Sequence, residues 1–236
     1  MTVSFALEFA KGPLFVFTFS FMVLGLLRRL LSQLEQFRSS VRRLPHQNIN
    51  IGVNVRDSLL WLLPVRHLYR NRPIVSLTSF LFHLGLLIVP VFLVNHIDRW
   101  KSGLGLAWPG IGPELADVLT LLTVVGVLVL LGFRAFDRAG RALSKLGDYL
   151  LLAAVAVPFV SGFMAMHPAY NPASYDGIML VHVLSSELVF LLLPTTKLSH
   201  AVLFVFDRFS SEVFWKMPVG AGDQVARELY GEERRV

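Results

Sequence analysis

The chain has 236 residues, 54% of them hydrophobic and only 16% charged, a balance that ordinary soluble domains of this length do not show. Its net charge is +6, but the bases collect beside apolar segments, where they set orientation in a bilayer, and this distribution argues against nucleic acid as a partner. There is no cysteine, which excludes disulfides, cysteine-held iron–sulfur clusters and covalently attached haem.

Five apolar segments follow in chain order, at roughly 12–31, 74–97, 115–135, 147–166 and 177–206. Each is near or above the ~20 residues that a helix needs to cross the hydrocarbon. The first is preceded by Glu8 and a late base, Lys11, and is followed by Arg28 and Arg29 with no small-residue cleavage site, so it reads as a retained helix that starts at Lys11-Gly12-Pro13. The long connection after it holds an amphipathic stretch, 58–69, with Trp61, Leu62, Leu63 and Leu68. That stretch suits an interfacial helix, a docking surface for a cytoplasmic subunit, or both. The connections SGLGLAWPGIGPE and HPAYNPASYDG are short and rich in Gly and Pro, and read as tight caps. The fifth segment is long enough to tilt or to run past the membrane edge.

The bases orient the bundle. The connection between the first two segments holds nine Lys or Arg, the connection between the third and fourth holds four, and the tail after Phe206 holds five. The opposite side has only Lys11, Arg99 and Lys101. Eighteen against three predicts a cytoplasmic side at the basic connections. The expected architecture is an all-α, five-helix transmembrane bundle with its N-terminus outside and its C-terminus cytoplasmic. Residues 1–206 form the membrane domain and 207–236 a cytoplasmic tail.

Four of the seven histidines, His83, His96, His182 and His200, lie in or at the ends of two apolar segments. Ionisable groups inside a membrane are expensive, so two on each of two helices form a functional constellation. Haem iron takes two neutral imidazoles as axial ligands, one from each face. The second and fifth helices run in opposite directions, so level matching pairs His83 with His200 and His96 with His182, with one haem near each membrane face. On a continuous helix the 18 residues from His182 to His200 are five full turns, whereas the 13 from His83 to His96 are about 3.6 turns and aim the rings differently. Pro90 is expected to kink or rotate the second helix between its histidines, and Pro194 does likewise on the fifth. The axial rises, roughly 20 and 27 Å, leave a difference for tilt to absorb. His46, His67 and His167 read as interface or surface residues.

At these residues the sequence resembles a known family. The run from His182 through FLLLPTTKLSH is similar to the closing motif of the cytochrome b (gamma) subunit of respiratory nitrate reductase. The stretch RPIVSLTSFLFHLGLLIVPVFLVNHIDRW, with GLAWP after it, resembles the cytochrome b subunits of sulfate-reducer transmembrane electron-transfer complexes, which partner heterodisulfide-reductase-like iron–sulfur proteins. The opening KGPLFVFTFSFMVLGLLRRL fits that family's first helix, and the resemblance covers most of residues 9–206. It implies five helices, two haem b groups, ligand roles for His83, His96, His182 and His200, and electron exchange with a quinone, menaquinone or ubiquinone. It also implies a bacterial or archaeal cytoplasmic (inner) membrane, a cytoplasmic iron–sulfur partner and a periplasmic multihaem cytochrome c. The nitrate reductase subunit spaces its second-helix histidines more closely than here, which favours the other branch.

The expected function is therefore a respiratory electron relay between a quinone pool and an iron–sulfur subunit. Asn95, Asp98, Asp117 and Glu187 are the residues placed to bond a quinone carbonyl or take its protons; the plainer role for the acids is capping, or pairing with Arg99 and Lys101. Three other readings remain. One is a cytochrome b anchor of a membrane hydrogenase or formate dehydrogenase. Another is a haem-free transporter whose histidines relay protons, and the last is an anchor with no cofactor.

Overall fold

The computed structural model describes residues 2–42, 56, 72–204, 206 and 207. His46, His67, the amphipathic stretch 58–69 and the tail beyond Asp207 lie outside these residues. The described elements are α1 (Val3–Phe9), a π-helical turn (Ala10–Leu14), α2 (Phe15–Arg42), α3 (Pro73–Phe92), α4 (Val94–Leu104), α5 (Pro113–Phe136), α6 (Arg138–Leu143), α7 (Leu146–Met166) and α8 (Tyr175–Thr195), with short 3-10 turns at Pro168–Tyr170 and Lys197–Ser199. The protein is all-α among the described residues. Five stretches are long and apolar enough to cross a membrane: Val3–Ser39, Pro73–Phe92, Pro113–Phe136, Leu146–Met166 and Tyr175–Thr195.

Three boundaries differ from the sequence expectation. The first helix begins at Val3, well before Pro13, because a π turn absorbs the proline. A π turn shifts the hydrogen-bond register by one residue, and the missing proline N–H then costs less. The second segment does not run unbroken to residue 97. It stops at Phe92, Leu93 is extended, and α4 restarts the helix at Val94. The fifth ends at Thr195, just after Pro194, with Thr196 extended before the 3-10 turn. The equal-face spacing expected for His182 and His200 assumed one continuous helix, and this break removes that basis.

The chain divides into two units. One comprises residues 1–22 and 64–193. In it α3 packs on α5 and α5 on α7. Glycine makes the first crossing close. A Cβ on Gly85 would run into Thr123 Oγ1 and come 2.6 Å from the Leu119 carbonyl oxygen, and one on Gly126 would lie 3.0 Å from Phe82 Cβ. Without a hydrophobic drive between helices in lipid, such contact of small residues is what holds spans together. Thr123, fully buried, donates its hydroxyl to Leu119 O at 2.7 Å and so satisfies itself within its own helix. Phe15 and Phe19 of α2 pack against Trp100 of α4 and Phe190 of α8, with ring centres 4.9–6.0 Å apart.

The second unit comprises residues 23–63 and 194–236. Gly25 lets α2 meet Pro194, whose Cβ would lie 2.5 Å from a Cβ at that position. Arg29 donates to Ser199 Oγ at 2.5 Å, and Gln33 bonds Asp207. Arg28, Arg29, Ser32, Gln33 and Gln36 line a polar surface on α2.

Candidate functional site

The break at Leu93 builds one side of the site. In a continuous helix the carbonyls of Pro90, Val91 and Phe92 would accept from the N–H groups four residues on. The break frees all three, and each finds a new donor. His96 Nδ1 takes Pro90 O at 3.1 Å, Trp108 Nε1 takes Val91 O at 3.0 Å, and Ile111 N takes Phe92 O at 2.7 Å. Val94 N returns a bond to Ile111 O at 3.3 Å. The Gly- and Pro-rich loop after α4 thus clamps the break, with Gly105 at φ +70° closing α4 in the left-handed region that glycine tolerates. The accounting is complete where it decides orientation: an orphaned carbonyl of the span fixes the His96 ring.

The other side comes from α7 and α8. His182 Nδ1 lies 2.8 Å from the Pro158 carbonyl of α7. A Cβ on Gly162 would come 2.9 Å from His182 Cε1 and 3.0 Å from Nδ1, so the ring occupies the space that glycine leaves. The His96 and His182 rings stand 6.2 Å apart between centres and within 16° of parallel. A carbonyl can only accept, so Nδ1 carries the hydrogen in both rings and Nε2 presents the lone pair. This is the tautomer by which a metal-binding imidazole is usually held. Two bonds of about 2 Å from metal to imidazole nitrogen leave ring centres about 6 Å apart. The 6.2 Å separation is of the size that two imidazoles would need to hold one metal ion between them. Among the described residues no group of three or more His, Cys, Asp or Glu could hold a bare ion. A pair of imidazoles suits a metal whose remaining ligands come from a macrocycle.

His83 and His200 are held in the same manner. His83 Nδ1 bonds Ser79 O one turn back at 2.7 Å, and His200 Nδ1 bonds Lys197 O at 2.5 Å. His83 is half-buried on α3, and His200 follows the 3-10 turn after α8.

The proposed quinone residues separate. Asn95 and Asp98 are exposed on α4, and Asn95 reaches Met166 Sδ of α7 at 3.6 Å. Asp117 on α5 pairs with His167 Nε2 at 3.2 Å rather than with Arg99 or Lys101. Arg99 instead donates to Lys11 O. Glu187 is 2% exposed on α8. The sequence marked His167 as an interface or surface residue, and the structure gives it a defined place between helices. Its Nδ1 bonds Phe163 O at 2.9 Å and its ring stacks on Phe163 with centres 4.2 Å apart. The sequence signal was an acid in the second turn of one helix and a histidine ending its neighbour, visible only once the two helices are known to pack.

Five apolar spans with two imidazoles gathered at the α4 end define a multi-pass membrane protein with a two-histidine site. The chain belongs to the same family as a protein of Nitratidesulfovibrio vulgaris (Hildenborough), to which it is 32% identical over 204 residues, covering 85% of this chain and 89% of that one. The relative's name states no activity. No family model and no solved structure matches the chain.

Proposed function

We propose that the protein is a dihaem cytochrome b subunit of a membrane-bound electron-transfer complex, exchanging electrons between a quinone and an iron–sulfur partner. The observation that carries this reading is the His96–His182 pair: near-parallel rings 6.2 Å apart, both with Nδ1 on a backbone carbonyl. The same ligand role falls to His83 and His200, each held by the Nδ1 bond described above. The redox chemistry is supplied by haem when bound. The chain's own work is to fix the imidazoles, to give the His182 ring the space beside Gly162 and to keep the interior apolar.

In this reading the α4 end faces outward and the basic connections face the cytoplasm, where Arg28 and Arg29 belong to the surface offered to an acidic partner. Asn95 and the Asp117–His167 pair lie near the ends of their helices and Asp98 is exposed on the short α4, where a quinone headgroup would enter. The pair offers the proton acceptor that quinol oxidation needs, and Asn95 offers a hydrogen bond to a carbonyl.

Visible spectroscopy of the purified protein tests the proposal. The expected result is a dithionite-reduced b-type alpha band and about two haems per chain, falling to about one in His96→Ala and His182→Ala. A wild-type preparation with no such band eliminates the relay and leaves the haem-free transporter reading in its place.

A further inference from the structure

Most buried hydroxyls of the apolar spans settle their own hydrogen bonds. Thr18, Ser76, Thr123 and Ser161 each donate to a carbonyl three or four residues back in their own helix. Glu187 does not. It is 2% exposed in the middle of α8, and neither carboxyl oxygen has a hydrogen-bond partner among the described residues. One turn further along, Phe190 packs its ring on Phe15 and Phe19, so this face of α8 is lined with aromatic carbon. A carboxyl enclosed this way costs free energy in either protonation state, most as the anion. Its place inside a span marks it as functional by default. A diffusing quinone has poor access to so enclosed a group, but a proton needs far less room.

We propose that Glu187 is a redox-linked proton site in the membrane interior, serving the iron held between His96 and His182. The inference rests on the haem reading above. Glu187 lies five residues past His182, about 7.5 Å along the helix axis. It is close enough to feel the iron's charge across a medium of low dielectric, and it is not a ligand. With the iron ferric, the excess positive charge favours Glu187 as carboxylate. When one electron arrives, from quinol in the complex or from dithionite in the test, that compensation is lost. One proton then bonds to a carboxylate oxygen of Glu187, and it leaves again when the electron does. The proton is delivered by hydronium of the aqueous phase, whose O–H bond breaks to leave water as the carboxyl O–H bond forms, so one electron and one proton enter together.

Infrared difference spectra of the purified, haem-loaded protein, reduced minus oxidised, test the step without any turnover. The expected result is a carboxylic acid C=O band gained on reduction, shifted down in D2O and absent in Glu187→Gln, with visible haem spectra unchanged by the substitution. Haem-loaded wild type and Glu187→Gln giving the same carboxylic region would overturn the proposal and leave the relay standing. If Glu187→Gln does not accumulate, Glu187→Asp serves: the band is expected to move, and an unmoved band overturns the assignment. Absence of haem in the wild type is read separately in the visible spectrum and ends both proposals.

Discussion

The α3–α5 crossing and the α4 end use glycine and backbone for opposite purposes. At the crossing neither helix is broken, and Gly85 and Gly126 only let two cylinders approach. At the α4 end the helix is broken, three carbonyls are released, and one of them orients an imidazole. Gly162 there makes room for a side chain rather than for a backbone. The regular region holds helices together, and the irregular one holds the paired histidines. This is the expected division in lipid, where unpaired backbone is tolerated only if something specific takes it up.

The two kinds of glycine should therefore fail differently. The largest expected effect is Gly162→Val. Its side chain would displace the His182 ring and break the bond to Pro158 O, so the haem count is expected to fall by about half, as for loss of a ligand, while the protein still folds. A Gly162→Val protein with full haem content would show that the glycine does not seat the ring. Gly85→Ala should do the reverse. Its Cβ meets Thr123 and the Leu119 backbone, which cannot yield cheaply, so thermal stability in detergent should fall by about 1–3 kcal/mol. The molecules that remain folded should keep both alpha-band components. Equal haem loss in the two variants would dissolve the distinction between fold glycine and site glycine.

The same contrast decides what could be read in the sequence. The spans were legible because sustained apolar runs of about 20 residues have few other uses. Pro90 and Pro194 flagged the right helices for a break, but not the exact place. The chain breaks at Leu93 and Thr196, two or three residues later, where loop and side-chain partners are on hand to take the released groups. The π turn at Ala10–Leu14 left no sequence sign apart from Gly12-Pro13. The His96–His182 juxtaposition followed from helix direction and depth, whereas Asp117 with His167 did not, because it depends on which helices are neighbours. Gly162 was invisible for the same reason: a glycine in an apolar run names no partner until its facing side chain is known.

The smallest expected effect lies at the basic α6 connection, away from the spans, where a charge does conventional work. Asp137 caps α6, accepting from Gly140 N at 2.9 Å, and pairs with Arg72 at 2.9 Å. The Arg72 hydrogen bond first, and the Gly140 N–H second, hold its carboxyl below the usual range. A lowered folded value means that the carboxylate's contribution is complete above the unfolded value of about 4 and disappears as pH falls through the folded one. Both partners are substantially exposed, so the gain is small and salt-sensitive. Asp137→Asn keeps an oxygen for the cap but loses the charge, and Asp137→Ala loses both. At neutral pH and low salt the order of Tm should be wild type, then Asn, then Ala. In acid below the folded value, wild type and Asn should converge while Ala stays lowest, and neither variant should change the haem spectrum. An Asn variant that matched wild type at neutral pH would leave the cap, and not the ion pair, as the only work of Asp137.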